Sequence, residues 1–409
     1  MRDGLPGAAQ ELADLSREVM ASFARFGYER VQLPAFEYAS VIERGLGELD
    51  PAALVRFVEP ETGEVVVLRP DMTPQVARLV TTKLARAPMP ARLCYQGSVL
   101  RRRRERARNN QQIPQAGIEL IGVPGQAGDL EVVLAALAAV RATRLEKFVL
   151  DLGHSGIAAS LLSGVDRRNW APIVDALAVK DQSTLHTRAS GLGLDKDELR
   201  ALVALPELHG GPEIWPRARR LLQNTLARSA FEQLFRLTDA LGDSVPSGQV
   251  LIDLGETWSF NYYTGPMFQL LAEGPGLPVG SGGRYDALYE QFGLERAAAG
   301  CAIDLDNLLW ALAAEARPRA SALRVLVSGP SPACAEFVDA LREQGVATAP
   351  APEGDVEAYA RAWRYSHLVD LSGPDAALTF LNEGDSERLP LDARAVGERV
   401  KNRASQTRG

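Results

Sequence analysis

The sequence predicts an α+β fold, a mainly antiparallel sheet flanked by helices, with a helical insertion at about residues 160–245 and a small C-terminal α/β domain. Three observations predict it. Apolar helices are interleaved with hairpin-like strand pairs rather than with regular βαβ repeats, which favours antiparallel pairing. Residues 160–245 are rich in Leu, Ala and Arg, with few β-branched runs. After PRASA the pattern becomes RVLVSG, ACAEFVDALREQG, VATAPA, a strand, a helix and a strand. At 409 residues the chain exceeds what one core usually supports, and two domains are expected, 1–320 and 321–409.

Residues 8–26 carry Leu12, Leu15, Val19, Phe23 and Phe26 at spacings of three or four, with Gly27 placed to end the helix. YERVQLPAFEY then reads as a strand in which Val31 and Leu33 alternate with polar neighbours until Pro34. EVVVLRPDMTPQVARLV gives a strand over 64–69, a turn, and a helix with Thr73 as N-cap and Pro74 at its first position. RLCYQGSVLR and IPQAGIELIG are two β-prone runs on either side of an arginine-rich stretch, which makes that stretch the tip of a long hairpin. A helix follows from about Asp129 to Arg144. Beyond the insertion, QVLIDLG and NYYTGPMFQLL are strands, GSGGRYDAL reads as a glycine-rich turn, and AAAGCAIDLDNLLWALAAEA runs from a strand into an apolar helix.

The formal net charge of -7 argues against general polyanion binding, because phosphate contacts require a concentrated positive field. Six arginines lie in VLRRRRERARNN, and this run reads either as a solvated loop or as a contact for an anionic partner. Three scattered cysteines do not make a disulfide framework, and the four histidines show no ligand-like spacing with them. His154 is expected to cap or pack near a turn. No apolar stretch approaches the roughly 20 residues of a membrane helix, so a cytoplasmic location is the expectation.

The pieces also stand in a familiar order. GYERVQLPAFEY resembles the first signature of class II aminoacyl-tRNA synthetases, the strand at their dimer interface, which implies self-association through residues 28–38. YQGSVLR with QAGIELIG is similar to the second signature, and GCAIDLDNLL to the third. LRPDMT, QAGIELIG, NYYTG and GGRYDAL narrow the resemblance to histidyl-tRNA synthetases over about residues 10–315. It implies a histidine pocket formed by Asp71, Thr73, Arg101, Gln115, Glu119, Tyr262, Tyr263, Gly282, Gly283, Arg284 and Tyr285. In that pocket Asp71, Thr73 and Gln115 would face the α-ammonium group, and Glu119 and Tyr263 the imidazole. Asp71 stands where the family usually has glutamate.

The positions that would handle ATP depart from the synthetase pattern. Trp258 and Asn307 stand where synthetases carry arginines, and Arg103 stands where the second signature has glutamate, although Arg101 is kept. Adenylate formation passes through an anionic phosphoryl centre stabilised mainly by positioned positive charge, so losing two arginines would remove several kcal/mol of that stabilisation. A histidine pocket without ATP machinery resembles the regulatory subunits of ATP phosphoribosyltransferase. That resemblance implies a non-catalytic chain of histidine biosynthesis that joins the short-form catalytic subunit in a hetero-octamer, activates it and senses histidine. No cofactor, metal, nucleic acid or membrane is implied. The alternatives are a divergent histidyl-tRNA synthetase and an RNA-binding module on the same fold. The C-terminal domain matches a synthetase anticodon-binding domain only in outline.

Overall fold

The computed structural model describes residues 3–46, 54–101, 111–257, 263–315 and 323–406. The arginine loop beyond Arg101, with Arg103, lies outside the described residues, as do Trp258 and Tyr262. The chain divides into two compact units, residues 1–317 and 318–409.

In the first unit, helix α1 (Pro6–Arg25) buries Leu15, Val19 and Phe23 completely, and Gly27, at φ 82°, turns the chain out of it. The expected strand after it is short. Strand β1 (Glu29–Arg30) pairs parallel with β5 (Ala91–Leu100) and then leaves the sheet. Arg69 explains the departure: its Nη1 donates to the carbonyls of Leu33 and Pro34 at 3.0 and 2.9 Å, so these carbonyls find a guanidinium instead of a strand partner. Beyond Pro34, β2 (Phe36–Tyr38), β3 (Arg56–Val58) and β4 (Val65–Leu68) make a separate three-stranded sheet, with helix α2 (Ala39–Leu46) packed on Val67.

Helix α3 spans Thr73–Thr82, with Pro74 second rather than first, and Thr73 is inside the helix rather than its cap. The Asp71 carboxylate accepts the Thr73 backbone N–H at 3.0 Å, which frees the threonine hydroxyl for another partner. The hairpin is present as expected: β5 pairs antiparallel with β6 (Gln112–Ile121) from Ala91 opposite Ile121 to Leu100 opposite Gln112. Helix α4 (Gly125–Ala142) begins four residues before the expected Asp129, whose carboxylate is not at the helix start but holds Arg284 at 2.6 Å.

Strand β7 (Phe148–His154) leads into the insertion, which is built of helices α5 (Ser155–Leu161), α6 (Ala171–Ala178), α7 (Gln182–Ala189), α8 (Lys196–Ala204), α9 (Trp215–Leu221) and α10 (Thr225–Leu241), plus the two-residue strand β8 (His209–Gly210). His154 caps α5, its Nδ1 accepting the Gly156 N–H at 3.0 Å. The chain returns through β9 (Val250–Asp253), β10 (Pro266–Ala272), β11 (Gly280–Arg284), helix α11 (Asp286–Gln291), β12 (Ala298–Asp304) and helix α12 (Leu305–Ala314). The nine strands lie in the order β1-β5-β6-β12-β11-β10-β7-β9-β8, parallel only at β1–β5 and β7–β9. Helices α1 and α4 cover one face with Ile118, Phe268 and Cys301, while Met72, Tyr95, Tyr285 and Tyr289 form a cluster on the other. Among the described residues no helix is long and apolar enough to cross a membrane.

GSGGR is where expectation and structure differ most. It is the central strand β11, not a turn. Its glycines answer crowding: a Cβ on Gly282 would meet the Gly300 carbonyl at 2.5 Å, and one on Gly283 would stand 2.8 Å from Tyr263 Cδ1. Removing side chains lets neighbouring groups close over the strand.

Where the insertion meets β7 and β9, Lys180 binds the Asp253 carboxylate, while the buried Asp151 leaves its Oδ1 without a hydrogen-bond partner. Burial first, then the charges of Asp253 and Glu256, push the Asp151 carboxyl up to about 7. A carboxyl raised in the folded state contributes stability that is fully present below its unfolded value and lost as pH rises through about 7. Asp151→Asn is therefore expected to melt higher than the parent at pH 8, by up to about 4 kcal/mol, with the difference disappearing towards pH 4. Equal gains at both pH values in thermal melts would show that Asp151 does not hold a proton.

The second unit is a five-stranded sheet ordered β14 (Ala347–Pro350), β13 (Arg324–Ser328), β15 (His367–Asp370), β16 (Ala376–Phe380), β17 (Ser386–Leu389). Helices α13 (Ala333–Glu343) and α15 (Ala393–Gln406) pack with Val325 and Val327 on one face, and α14 (Val356–Ala362) packs with Leu326 on the other, as the period of two along β13 requires.

Candidate functional site

Strands β6, β12 and β11 carry the site on the face away from α4. Gly117, Glu119, Gly300, Gly283 and Tyr285 all leave this face, since Glu119 lies opposite Gly300, and Gly300 opposite Gly283. Glu119 is fully buried. Its Oε1 accepts the Thr73 hydroxyl at 2.7 Å and the Tyr95 hydroxyl at 3.3 Å, and its Oε2 accepts the Tyr285 hydroxyl. Two absences of side chain leave room for this cluster. A Cβ on Gly300 would overlap the Tyr285 hydroxyl and stand 2.7 Å from Glu119 Oε2, and one on Gly117 would stand 2.5 Å from the Tyr95 hydroxyl.

Burial pushes the Glu119 carboxyl well above the usual carboxylate range, and the nearby Asp71 adds to this, against the hydrogen bonds from Thr73 and Tyr95 that favour the ionised form. Asp71 itself is half-buried, with Oδ2 accepting Arg101 Nη2 at 2.9 Å. The same guanidinium donates through Nε to the Pro70 carbonyl at 2.7 Å. Asp304, at the end of β12 opposite Gln115, is pushed up to about 6 by burial while its Oδ1 caps α12 through the Asn307 N–H at 3.0 Å. Gln115 is buried at the same edge. The half-buried Tyr263 ring packs 6.4 Å from that of Tyr285, and its phenol is raised by burial and then by the charge of Asp71.

Asp71, Glu119 and Asp304 thus bring three carboxyls to this end of the sheet, with the Arg101 guanidinium already paired to Asp71 and acting on Asp304. Such a site has an excess of acceptors and favours a ligand that brings N–H donors and positive charge.

Thr73, Glu119 and Tyr285 meet directly, and Asp71, Arg101, Gln115, Tyr263 and Gly283 stand around them. Gly282 and Arg284 do not join the cluster. They alternate with Gly283 and Tyr285 along β11, so they leave the opposite face. There Arg284 is saturated by Asp129 at 2.6 Å, Asp286 at 3.0 Å and the carbonyls of Val123 and Gly125. It ties α4 to the sheet instead of facing the pocket. Asn307 is buried, and its amide donates to the Pro278 carbonyl at 2.9 Å. Sequence reasoning missed Tyr95, Gly117, Gly300 and Asp304. Alternation along LCYQG would have put Leu93, Tyr95 and Gly97 on one face, but only the register with β6 brings Tyr95 to Glu119.

The family model of histidyl-tRNA synthetase matches residues 1–308. The ATP phosphoribosyltransferase regulatory subunit of Syntrophotalea carbinolica is 34% identical over 411 residues, covering 97% of this chain and 96% of its own. That of Moorella thermoacetica is 36% identical over 329 residues, 80% of this chain and 84% of its own. Among solved structures, an ATP phosphoribosyltransferase regulatory subunit/histidyl-tRNA synthetase from Bacillus halodurans superposes with a TM-score of 0.77 at 27% identity, covering 91% of this chain and 97% of that one. Histidyl-tRNA synthetase from Nostoc sp. PCC 7120 gives a TM-score of 0.81 at 16% identity, covering 98% and 97%, and shows the shared class II fold. The chain therefore belongs to the ATP phosphoribosyltransferase regulatory subunit family, built on the class II fold of histidyl-tRNA synthetases.

Proposed function

We propose that this chain binds free histidine at the Glu119 site without activating it, and through that site regulates a short-form ATP phosphoribosyltransferase catalytic subunit in histidine biosynthesis. The observation that carries the reading is the charge arrangement: a buried Glu119 ringed by hydroxyls, with Asp71 and Asp304 nearby, suits an imidazole N–H and an α-ammonium group. The ATP side supports the non-catalytic half. Arg101 is engaged by Asp71 and Pro70, and the position where a synthetase carries a phosphate-gripping arginine is Asn307, whose amide is used within the fold. Arg284, anchored to Asp129, leaves the pocket to Thr73, Gln115, Glu119, Tyr263 and Tyr285. Histidine regulates the complex if it binds one of its conformations better than another.

Self-association through residues 28–38 belongs to the same reading. Phe36, Tyr38 and Phe57 are each more than 40% exposed on the small sheet, and Phe36 and Phe57 meet edge to face at 5.8 Å, an apolar patch suited to burial between copies. Light scattering of the purified chain is expected to give a dimer, and a monomer would remove this part.

The test is histidine-dependent ATP–pyrophosphate exchange on the purified chain, with histidine binding followed by calorimetry on the same sample. Binding without exchange is expected, and addition of the short-form transferase should then give activity that depends on this chain and falls with histidine. Clear exchange would replace this reading by a divergent synthetase, the alternative favoured by the retained Arg101. Absence of histidine binding would remove the pocket assignment.

A further inference from the structure

Asp71 and Asp304 do not offer the same thing to a cation. Both oxygens of Asp71 are engaged, Oδ1 by the Thr73 backbone N–H at 3.0 Å and Oδ2 by Arg101 Nη2 at 2.9 Å, so a guanidinium already answers its charge. Asp304 accepts only backbone N–H groups, that of Asn307 at 3.0 Å and that of Asp306, and among the described residues it forms no ion pair. A carboxylate shielded from water and lacking a cation favours a ligand that brings one.

Gln115 points the same way. It lies opposite Asp304 across the β6–β12 pair, is 8% exposed, and its amide has no hydrogen-bond partner among the described residues. Alternation places Gly300, Ala302 and Asp304 on the pocket face of β12, as it places Glu119, Gly117 and Gln115 on that of β6. Glu119 and Asp304 thus stand at two ends of one trough, whose floor is Gly117, Ala302 and Ser281, the last two half-exposed. Gly300, opposite Glu119, and Asp304 are roughly 13 Å apart at the rise of a strand. An extended histidine whose ring N–H and ammonium nitrogens are about 6 Å apart, with a hydrogen bond of about 2.8 Å at each end, covers nearly the same length.

We propose that Asp304 is a specificity-determining residue of this site, receiving the α-ammonium group of the ligand with the Gln115 carbonyl as second acceptor, while Asp71 keeps Arg101. This rests on the histidine reading of the site. Glu119 then reads the ring and Asp304 the amine, and the pocket selects α-amino acids over their deaminated analogues.

Asp304→Asn tests it, because asparagine caps a helix as well as aspartate does and so keeps an acceptor for the Asn307 N–H while removing the charge. Calorimetry would follow L-histidine and imidazolepropionate, the same molecule without its ammonium group. Histidine is expected to bind the parent more tightly than imidazolepropionate. In Asp304→Asn its affinity should fall about 10- to 100-fold, while that of imidazolepropionate does not fall. Asp71→Asn should leave the ratio of the two affinities nearly unchanged. Thermal melts of the ligand-free variants check the fold, and Asp304→Ser, another capping residue, replaces the asparagine variant if that one melts early. No preference for histidine in the parent, an equal loss for both ligands in Asp304→Asn, unchanged histidine affinity, or a ratio that collapses in Asp71→Asn instead would overturn the assignment. A parent chain that binds neither ligand would overturn the histidine reading on which it rests.

Discussion

Glu119→Gln is expected to weaken histidine binding by about 10²- to 10³-fold without unfolding the protein. Glutamine keeps the shape and one acceptor oxygen but loses the charge that a ring N–H and a nearby ammonium would meet. Its amide also brings donors into a place where Thr73, Tyr95 and Tyr285 already donate. Stability should move the other way. Burial raises the Glu119 carboxyl well above the usual carboxylate range, so at neutral pH folding of the empty protein must put a proton on it, a cost that a neutral amide does not carry. Calorimetry beside a thermal melt separates the two effects. An unchanged affinity would place histidine elsewhere, whereas a collapsed melt would show that Glu119 serves mainly to hold Thr73, Tyr95 and Tyr285 together. The sign of proton linkage gives a further check: a cationic ligand favours ionised Glu119, so binding near neutral pH should release a proton, visible as a dependence of the heat on buffer ionisation.

Gly300→Ala is expected to be the most damaging single-methyl change in the first unit. A Cβ there overlaps the Ile118 carbonyl and the Tyr285 hydroxyl and stands 2.7 Å from Glu119 Oε2. Ile118 and Glu119 are on the paired strand β6, so relief by a side-chain rotation is closed off and the strand pairing itself must move. Overpacking of this kind costs about 1–3 kcal/mol, and the broken Tyr285–Glu119 hydrogen bond adds to it. The variant should melt several degrees lower and lose histidine binding together. Gly191→Ala is the control, since a Cβ at Gly191 meets nothing within 4 Å. If Gly300→Ala kept the affinity of the parent, the Tyr285–Glu119 contact could not be part of the pocket.

Much of the site was legible because its signals are local. Thr73 follows Asp71 in a strand-turn-helix pattern, and Glu119 is a carboxylate in an apolar β-prone run, which has to find partners when buried. The hairpin was legible for the same reason, as two β-prone runs around a polar tip. Arg284 was misplaced because four consecutive residues of GGRY were taken together, and a strand sends neighbours to opposite faces. Had the segment been recognised as a strand, alternation alone would have separated Arg284 from Tyr285. Thr73 was misread as a cap because the competing use of its hydroxyl, Glu119, lies 46 residues away in sequence.

The α+β class, the long hairpin, the helical insertion and the family could be read from the chain alone, because hydrophobic period, turn residues and motif order are properties of short segments. Only the folded arrangement brings Tyr95 and Tyr285 onto Glu119, sets Arg284 on Asp129, and takes the chain out of the sheet after β1 with the Leu33 and Pro34 carbonyls held by Arg69. Each of these depends on the register between strands or on a guanidinium arriving from a distant element. A hydrogen bond is specified by where two groups meet in space, and that meeting is fixed only when the whole sheet has closed around them.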